Sequence, residues 1–116
     1  MIFHIVKKAE WLEALRRGVY APESLKAEGF VHCSTFEQAA QTANRFFRGQ
    51  HDLVLLCIEP QRLRADLRLE RPADPSDERV NQLFPHVYGP INLDAVRKAL
   101  DFPCDSDGSF QLPPGL

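Results

Sequence analysis

The stretch of sequence that decides the fold class is GFVHCSTFEQ, residues Gly29–Gln38, in which a strand runs directly into a helix. Its first half is rich in β-branched and aromatic residues, which predicts a short strand. Its second half contains two overlapping capping boxes, Ser34 with Glu37 and Thr35 with Gln38, and either of them would start a helix. The domain must therefore combine strands with helices.

The helix that begins here is predicted over Thr35–Arg48, because apolar residues recur at helical spacing and a glycine follows. Upstream, the pattern predicts a strand over Ile2–Val6 and a helix over Lys8–Arg17, and a shorter helix is expected before Gly29. The predicted apolar stripe of the long helix consists of Phe36, Ala39, Ala40, Ala43, Phe46 and Phe47.

The second half of the chain is dominated by strand patterns. Leu53–Glu59 is almost entirely apolar, which is typical of a strand buried on both faces. Asp66–Arg71 alternates leucine with charged residues, as a half-exposed strand does, and Phe84–Gly89 is a third strand between prolines. The residues between the last two strands, Pro72–Asn81, form a polar loop. Of the nine prolines, eight lie from Pro60 onward, and Pro60, Pro72, Pro85 and Pro90 end or flank these strands.

Residues 92–112 admit two interpretations. Asn92 could cap a helix that reaches Leu100, or a single turn could precede a strand over Val96–Phe102. The turn sequence at residues 105–108 favours the second, as the first arm of a hairpin that returns over Ser109–Leu112.

Together these elements predict one α+β domain over residues 1–116, with five or six strands and two or three helices. The 116 residues and 44% apolar composition are typical of a single globular domain. The formal net charge of −2 gives no general attraction to nucleic acid, although a local basic groove is compatible with it.

Cysteine usage and the amino terminus bear on location and metals. Cys33, Cys57 and Cys104 have neither metal-ligand spacing nor an even count, so we expect no metal site and a reducing compartment. The apolar run at the start is too short for a signal peptide, and no run approaches the roughly 20 residues of a membrane span. We expect a cytoplasmic protein that does not enter membranes.

His32 is the first candidate site residue. It lies at the end of a strand, immediately before the helix that begins at Ser34 or Thr35. The free N–H groups of a helix start suit a phosphate, and an imidazole beside them stays neutral and able to bind a ribose hydroxyl. The alternative is a half-buried histidine bonded to a neighbouring carbonyl group.

His86 and Tyr88 form the second candidate, since strand alternation places both on one face of a proline-flanked strand. Asn44 and Arg45 on the polar face of the long helix could face a phosphate, although a solvated surface is the simpler interpretation. Glu70 could orient a ribose or join a surface ion pair with neighbouring arginines.

Several strings in the chain together resemble a family of small bacterial proteins known as domain of unknown function 952. They are GFVHCS at residues 29–34, ANRFFRG at 43–49, DLVLL at 52–56 and FPHVYGPIN at 84–92. The resemblance runs in order from Ile2 to Phe110. It implies a fold similar to ADP-ribosyltransferases and RNA 2′-phosphotransferases, in which a split antiparallel sheet forms a cleft for NAD.

The resemblance also implies roles for the candidate residues. His32 matches the early-strand position that bonds the nicotinamide-side ribose, and His86 or Tyr88 matches the later positions near the nicotinamide. A late-strand Glu is expected in transferases of this superfamily, but residues 84–92 contain none, which leaves Glu70 as the substitute. Relatives in which NAD only accepts a phosphate do not need this carboxylate.

Three functions follow from these features. The first is an NAD- or nucleotide-binding enzyme of ADP-ribosyl or phosphoryl transfer. In it His32, His86 and Tyr88 act in catalysis, and the cofactor is bound by His32, Ser34, Thr35, Asn44, Arg45 and Tyr88. The second is a non-catalytic module that binds a nucleotide or a partner protein. The third is an RNA phosphotransferase, which would require a basic groove built from Arg45, Arg48, Arg62, Arg64 and Arg68.

Overall fold

A computed structural model describes all 116 residues of the chain. In chain order the elements are β1 (Ile2–Lys7), α1 (Lys8–Arg17), β2 (Val19–Tyr20), α2 (Ser24–Ala27), β3 (Val31–His32), α3 (Phe36–Phe46), β4 (Leu53–Ile58), β5 (Asp66–Glu70), β6 (Phe84–Tyr88), β7 (Ile91–Asn92) and β8 (Val96–Asp101). Single 3-10 turns at Pro60–Arg62 and Leu93–Ala95 complete the fold. The α+β class and the three helices are confirmed. The strands number eight instead of five or six, because β2 and β7, each only two residues long, are too short to show a pattern in the sequence.

All strand pairs are antiparallel and they form three sheets, in the orders β1-β4-β8, β2-β7 and β3-β6-β5. The first and third sheets touch at a single bridge, in which Phe3 and Ser34 exchange backbone hydrogen bonds of 2.8 Å. On either side of this bridge the edge of β1 has no strand partner. The sheets therefore separate along β1, and this separation creates the cleft described below.

The core has two layers, one on each face of β1 and β4. Side chains alternate along these strands, so Ile2, Val6 and Leu56 face α1 and the β3–β6 sheet, whereas Phe3 and Leu55 face α3. Every residue of β4 is buried, which confirms the prediction of a strand covered on both faces. No helix is of the length and apolar character that crossing a bilayer requires.

Helix α3 begins one residue later than the favoured capping box would place it. Thr35 is the N-cap, and its backbone N–H donates to Oε1 of Gln38 at 3.0 Å. The second of the two overlapping boxes is thus the one that forms, because Ser34 is held in the bridge to Phe3 and its hydroxyl bonds Thr42. The helix ends at Phe46, two residues short of the predicted Arg48.

The phenylalanines predicted as the core stripe of α3 are only partly buried. Ala39 and Ala43 are fully buried, whereas Phe36 and Phe46 remain 50% and 44% exposed. The alanines allow α3 to lie close to β1, and this close approach leaves the larger rings at the edges of the contact.

The carboxy-terminal hairpin is the prediction that was wrong. The turn and the strand β8 are present, but residues 109–112 form no strand. Asn44 of α3 takes the place of the missing partner strand: its Oδ1 accepts from the Phe110 N–H at 2.7 Å and its Nδ2 donates to the Phe110 carbonyl at 3.1 Å. The Phe110 ring packs on Phe102, and this anchors the segment beneath α3.

Asn44→Ala is therefore expected to lower the free energy of unfolding by about 2 kcal/mol, since it leaves the backbone of the buried Phe110 without two partners. Urea denaturation measures the loss. Asn81→Ala is the matched control, because Asn81 is an exposed loop residue whose amide has no recorded partner. Equal stability of the two variants would contradict this anchoring role.

Candidate functional site

A cleft of about 680 Å³ lies along the free edge of β1. One wall comes from β1, the start of α1 and the β2–α2 connection, and the other from α3 and the loop between β5 and β6. The ends of β3 and β6 close it with His32 and His86. It falls within the roughly 300–1,000 Å³ typical of small-molecule sites.

His32 reaches the cleft from the short strand β3 and is held by Glu28. Its Nε2 donates to Oε2 of Glu28 at 2.7 Å, and both side chains are nearly half exposed. The contact depends on Gly29, whose φ of +87° reverses the chain between α2 and β3, a conformation that side chains of other residues rarely allow.

His86 lies directly opposite His32 in the antiparallel pair β3–β6, and the two ring centroids are 5.7 Å apart. The ring of His86 is buried, with 3% exposure, and Phe30 stacks on it at 4.2 Å. Its Nδ1 donates to Oε1 of Glu70 at 2.8 Å. The same carboxylate oxygen accepts the Tyr88 hydroxyl at 2.5 Å.

These contacts fix which nitrogen of each ring carries the proton. A carboxylate only accepts, so Nε2 of His32 and Nδ1 of His86 are the donors, and in the neutral rings the opposite nitrogens are acceptors. Burial holds the pKa of His86 below its usual value, against the raising effect of Glu70. The side chains include no buried nitrogen or oxygen without a partner, so the unpartnered Nε2 of His86 must open to the cleft.

Glu70 acts behind His86 and is not part of the cleft wall. Hydrogen bonds from Tyr88 and then from His86 hold the pKa of its carboxyl below the usual range, which keeps it ionised. Its role is to fix the His86 tautomer. Tyr88 is likewise outside the cleft, with the guanidinium of Arg68 over its ring at 4.2 Å.

His4 and Tyr20 are site residues that the sequence analysis missed. Nδ1 of His4 donates to the backbone carbonyl of His32 at 2.5 Å, and the Tyr20 hydroxyl donates to Nε2 of His4 at 2.6 Å. Desolvation lowers the pKa of His4 to about 4, so the ring is neutral at pH 7. Strand alternation could have identified His4, because it places this polar residue on the same face of β1 as the buried Ile2 and Val6.

The opposite wall is held together by Asp77 and Arg79 from the loop before β6. Asp77 is 3% exposed and pairs with Arg79 through both carboxylate oxygens, at 3.0 and 2.8 Å. Arg79 continues to Oγ1 of Thr42 on α3 at 2.9 Å, and Thr42 also bonds Ser34 at 3.1 Å. Ser34 thus lines the cleft as a buried hydroxyl in a polar chain.

The structure brings His32, Ser34 and His86 into the cleft, and places the other candidate residues elsewhere. Thr35 caps α3, Asn44 anchors Phe110, and Arg45 bonds the Ser76 carbonyl at 2.7 Å and lies 3.7 Å from Asp77. Of the other arginines expected in a basic groove, Arg62 pairs with Glu59 and Arg64 with Asp94.

Charge in the cleft is mostly negative. Five carboxylates line it against two lysine or arginine side chains: Glu10, Glu23, Glu28, Asp74 and Asp77 against Lys7 and Arg79. Asp77 is neutralised by Arg79 and by Arg45 outside the cleft. The negative charge is therefore concentrated on the wall that carries Glu10, Glu23 and Glu28. Histidine, cysteine and acidic side chains form no group of three or more suited to a metal ion, in the cleft or outside it.

Comparison with known proteins places the chain among relatives of undefined role. Residues 5–99 match the family described as protein of unknown function (DUF952). The crystal structure of protein CC0527 from Caulobacter crescentus has 38% sequence identity and a TM-score of 0.83, over 96% of this chain and 93% of that one. The solution NMR structure of CC0527 gives 38% identity and a TM-score of 0.80, over 99% and 95% of the two chains. No curated protein matches the sequence significantly.

Proposed function

This chain belongs to the DUF952 family, a family of proteins of unknown function, and we propose that it is a nucleotide-binding enzyme that uses NAD or a related nucleotide for ADP-ribosyl or phosphoryl transfer. The proposal includes a fold related to that of ADP-ribosyltransferases, with the split between its sheets as the ligand cleft.

The observation that carries the proposal is the meeting of His32 and His86 on paired strands at one end of the cleft. Each ring is locked by a carboxylate so that an acceptor nitrogen is left over, Nδ1 in His32 and Nε2 in His86. Two neighbouring acceptors suit the two hydroxyl groups of a ribose. His32 would bind the ribose, and His86 would accept a proton close to it.

The rest of the cleft supplies complementary contacts for a nucleotide. The rings of Phe3 and Phe84 line it and offer apolar surface for a base, and Arg79 and Lys7 are the cations that would meet phosphate groups. The Ser34 hydroxyl donates to Oγ1 of Thr42, so the hydroxyl proton of Thr42 is free to donate to a ligand. Glu28 lines the cleft and bonds His32, so it would lie beside a ribose bound there, in a role for which the sequence had suggested only Glu70.

Isothermal titration with NAD tests the binding step. Saturable heat is expected in the millimolar range or below, and His32→Ala should weaken binding by about tenfold, because a hydrogen bond to a buried ligand hydroxyl is lost. His51→Ala is the control, since His51 is exposed and does not line the cleft. Absence of heat with millimolar NAD, or equal heat from His32→Ala and the wild type, would refute the proposal.

The second candidate is a non-catalytic nucleotide-binding module, and one observation favours it. Glu28 and Glu70, the carboxylates at the two histidines, each already accept a hydrogen bond from an imidazole. The charge of each is thereby partly committed to an imidazole, and Glu70 lies outside the cleft wall, so the site has no unengaged carboxylate beside the two histidines. Prolonged incubation with NAD separates the two candidates: release of nicotinamide supports the enzyme, and intact NAD with retained binding supports the module.

A further inference from the structure

The contacts of Tyr20 dictate what its oxygen can offer a ligand. Tyr20 is 5% exposed and lines the cleft beside His4. A backbone carbonyl accepts only, so the His4 proton is on Nδ1, where it bonds the His32 carbonyl. Nε2 of His4 is then an acceptor and holds the single Tyr20 hydroxyl proton at 2.6 Å. The Tyr20 oxygen has only lone pairs left to offer.

The groups around Tyr20 are hydrogen-bond acceptors as well. Glu10, Glu23 and Glu28 line the same wall, and burial followed by the Glu10 charge raises the pKa of Tyr20. At the end of this wall, His86 is 97% buried and presents its unpartnered Nε2, also an acceptor. Tyr20, His86 and the carboxylates thus present acceptors and no free donor on this side of the cleft.

We propose that Tyr20 is a specificity-determining residue of the cleft, which accepts a hydrogen bond from an amide or cationic group of the ligand and disfavours a carboxylate in the same place. His4 is its positioning residue, because it fixes the Tyr20 hydroxyl and the His32 backbone together. The inference deepens the proposed function by naming the group that must lie on the acidic wall. It rests on that function only in treating the cleft as a ligand site.

Three probes of nearly equal shape test this selectivity: benzamidinium, benzamide and benzoate. They share a phenyl ring, which suits the apolar part of the cleft, and differ only in charge and in donors. Binding is followed by NMR chemical-shift titration of the intact protein at low salt. The expected order is benzamidinium, then benzamide, then benzoate, with about tenfold between neighbours, the factor that corresponds to one charge-assisted contact.

Variants assign the selectivity to particular side chains. Tyr20→Phe should weaken benzamide severalfold and leave benzoate unchanged, because only the amide donates to the lost oxygen. His4→Ala should have the same differential effect, whereas a purely structural defect would weaken all three probes together. Glu28→Gln should reduce the preference for benzamidinium over benzamide. Glu37→Gln is its control, because Glu37 is an exposed glutamate outside the cleft.

The inference is overturned if benzoate binds as tightly as benzamide, if Tyr20→Phe leaves their ratio unchanged, or if no probe binds at millimolar concentration. NAD titration on the same samples separates this failure from that of the proposed function. Wild-type protein that binds NAD through His32 but shows no amide preference would reject the role of Tyr20 alone. A preference for benzamide without NAD binding would support Tyr20 and reject the nucleotide.

Discussion

Asp77→Asn is expected to lower the free energy of unfolding by about 3 kcal/mol at pH 7, because it leaves the largely buried Arg79 guanidinium without its counter-ion. The substitution keeps the size of the side chain and removes only the charge. For a chain of this length the loss corresponds to roughly 12 °C in the melting temperature. Urea denaturation gives the free energy, and calorimetry gives the melting temperature.

Glu78→Gln is the matched control, since Glu78 is the neighbouring acidic residue and is exposed without a recorded ion pair. Its effect should stay within about 0.5 kcal/mol. A loss below about 1 kcal/mol in Asp77→Asn would mean that Arg79 finds other partners, and the buried pair would then not be what holds the loop.

The ion pair between Asp77 and Arg79 also predicts that the fold loses stability in acid. The hydrogen bond from Arg79 lowers the pKa of Asp77 from 3.8 to about 2, which opposes its desolvation. Because the carboxyl pKa is lower in the folded than in the unfolded chain, the ionised form stabilises the fold fully when the pH is above the unfolded-state pKa. This contribution is lost as the pH falls from about 4 to about 2. The Asp77→Asn variant should lack this step in stability between pH 4 and pH 2.

The loop that Asp77 holds is also a wall of the cleft, so stability and ligand binding are coupled through it. Arg79 reaches Thr42 on α3, and Arg45 of α3 reaches back to Ser76 and Asp77. Residues 72–79 contain no regular secondary structure, and these side chains supply the contacts that a strand or helix would otherwise make. Loss of Asp77 should therefore also broaden the NMR signals of this loop.

Local patterns in the sequence were sufficient to predict most elements of this fold. The apolar run of β4, the alternation in β5 and the glycine after α1 each reflect interactions between residues close in the chain. The helix α1 was predicted with its observed bounds, Lys8–Arg17. The choice of a turn and strand over a helix after Asn92 was also confirmed.

The errors arose where a distant residue decides the local structure. Nothing near residues 109–112 reveals that Asn44, more than 60 residues away, bonds both backbone groups of Phe110. The hairpin prediction assumed that these groups would need a strand partner. Similarly, Phe36 and Phe46 follow a core-like helical stripe, but the close packing of Ala39 and Ala43 determines which face of α3 is buried.

The candidate site was predictable only where local patterns in the sequence determine it. Strand alternation was enough to single out His32 and His86, and the antiparallel pairing then placed them opposite each other. His4 and Tyr20 lie on strands with no obvious polar partner in the sequence. Their connection exists only because β1 and β2 meet beside β3, which requires the tertiary fold.

His4 should give this protein a second pH-dependent step in stability, between about pH 6.5 and pH 4. The neutral ring is favoured in the fold, since desolvation lowers its pKa from 6.5 to about 4 against the raising effect of its bond to the His32 carbonyl. Because the imidazole pKa is lower in the folded than in the unfolded chain, the fold has its full stability when the pH is above the unfolded-state pKa. Stability is lost as the pH falls from there toward 4. A shift of one pKa unit corresponds to about 1.4 kcal/mol, so we expect the loss to reach no more than about 3 kcal/mol.

The step is measured as the difference in unfolding free energy between the wild type and His4→Gln across this pH range. Gln does not titrate, so the difference should shrink as the pH falls, and the His4 ring should titrate near pH 4 by NMR. Titration near 6.5, or a constant difference between the two proteins, would contradict the buried relay. The groups that could shift this step are His32, which bonds His4 through its carbonyl, and Tyr20, which donates to His4 and has Glu10 and Cys33 as its own neighbours.

Protonation of His4 also has a consequence for the cleft. A protonated Nε2 would donate to the Tyr20 oxygen, and the hydroxyl proton of Tyr20 would then have to turn elsewhere, with the cleft as the open direction. The acceptor on this wall would become a donor, so the preference for benzamide over an aryl anion that stays ionised near pH 4, such as benzenesulfonate, should decrease on the same pH curve as the His4 titration. Agreement of the two curves would tie the stability of the fold and the selectivity of the cleft to one proton.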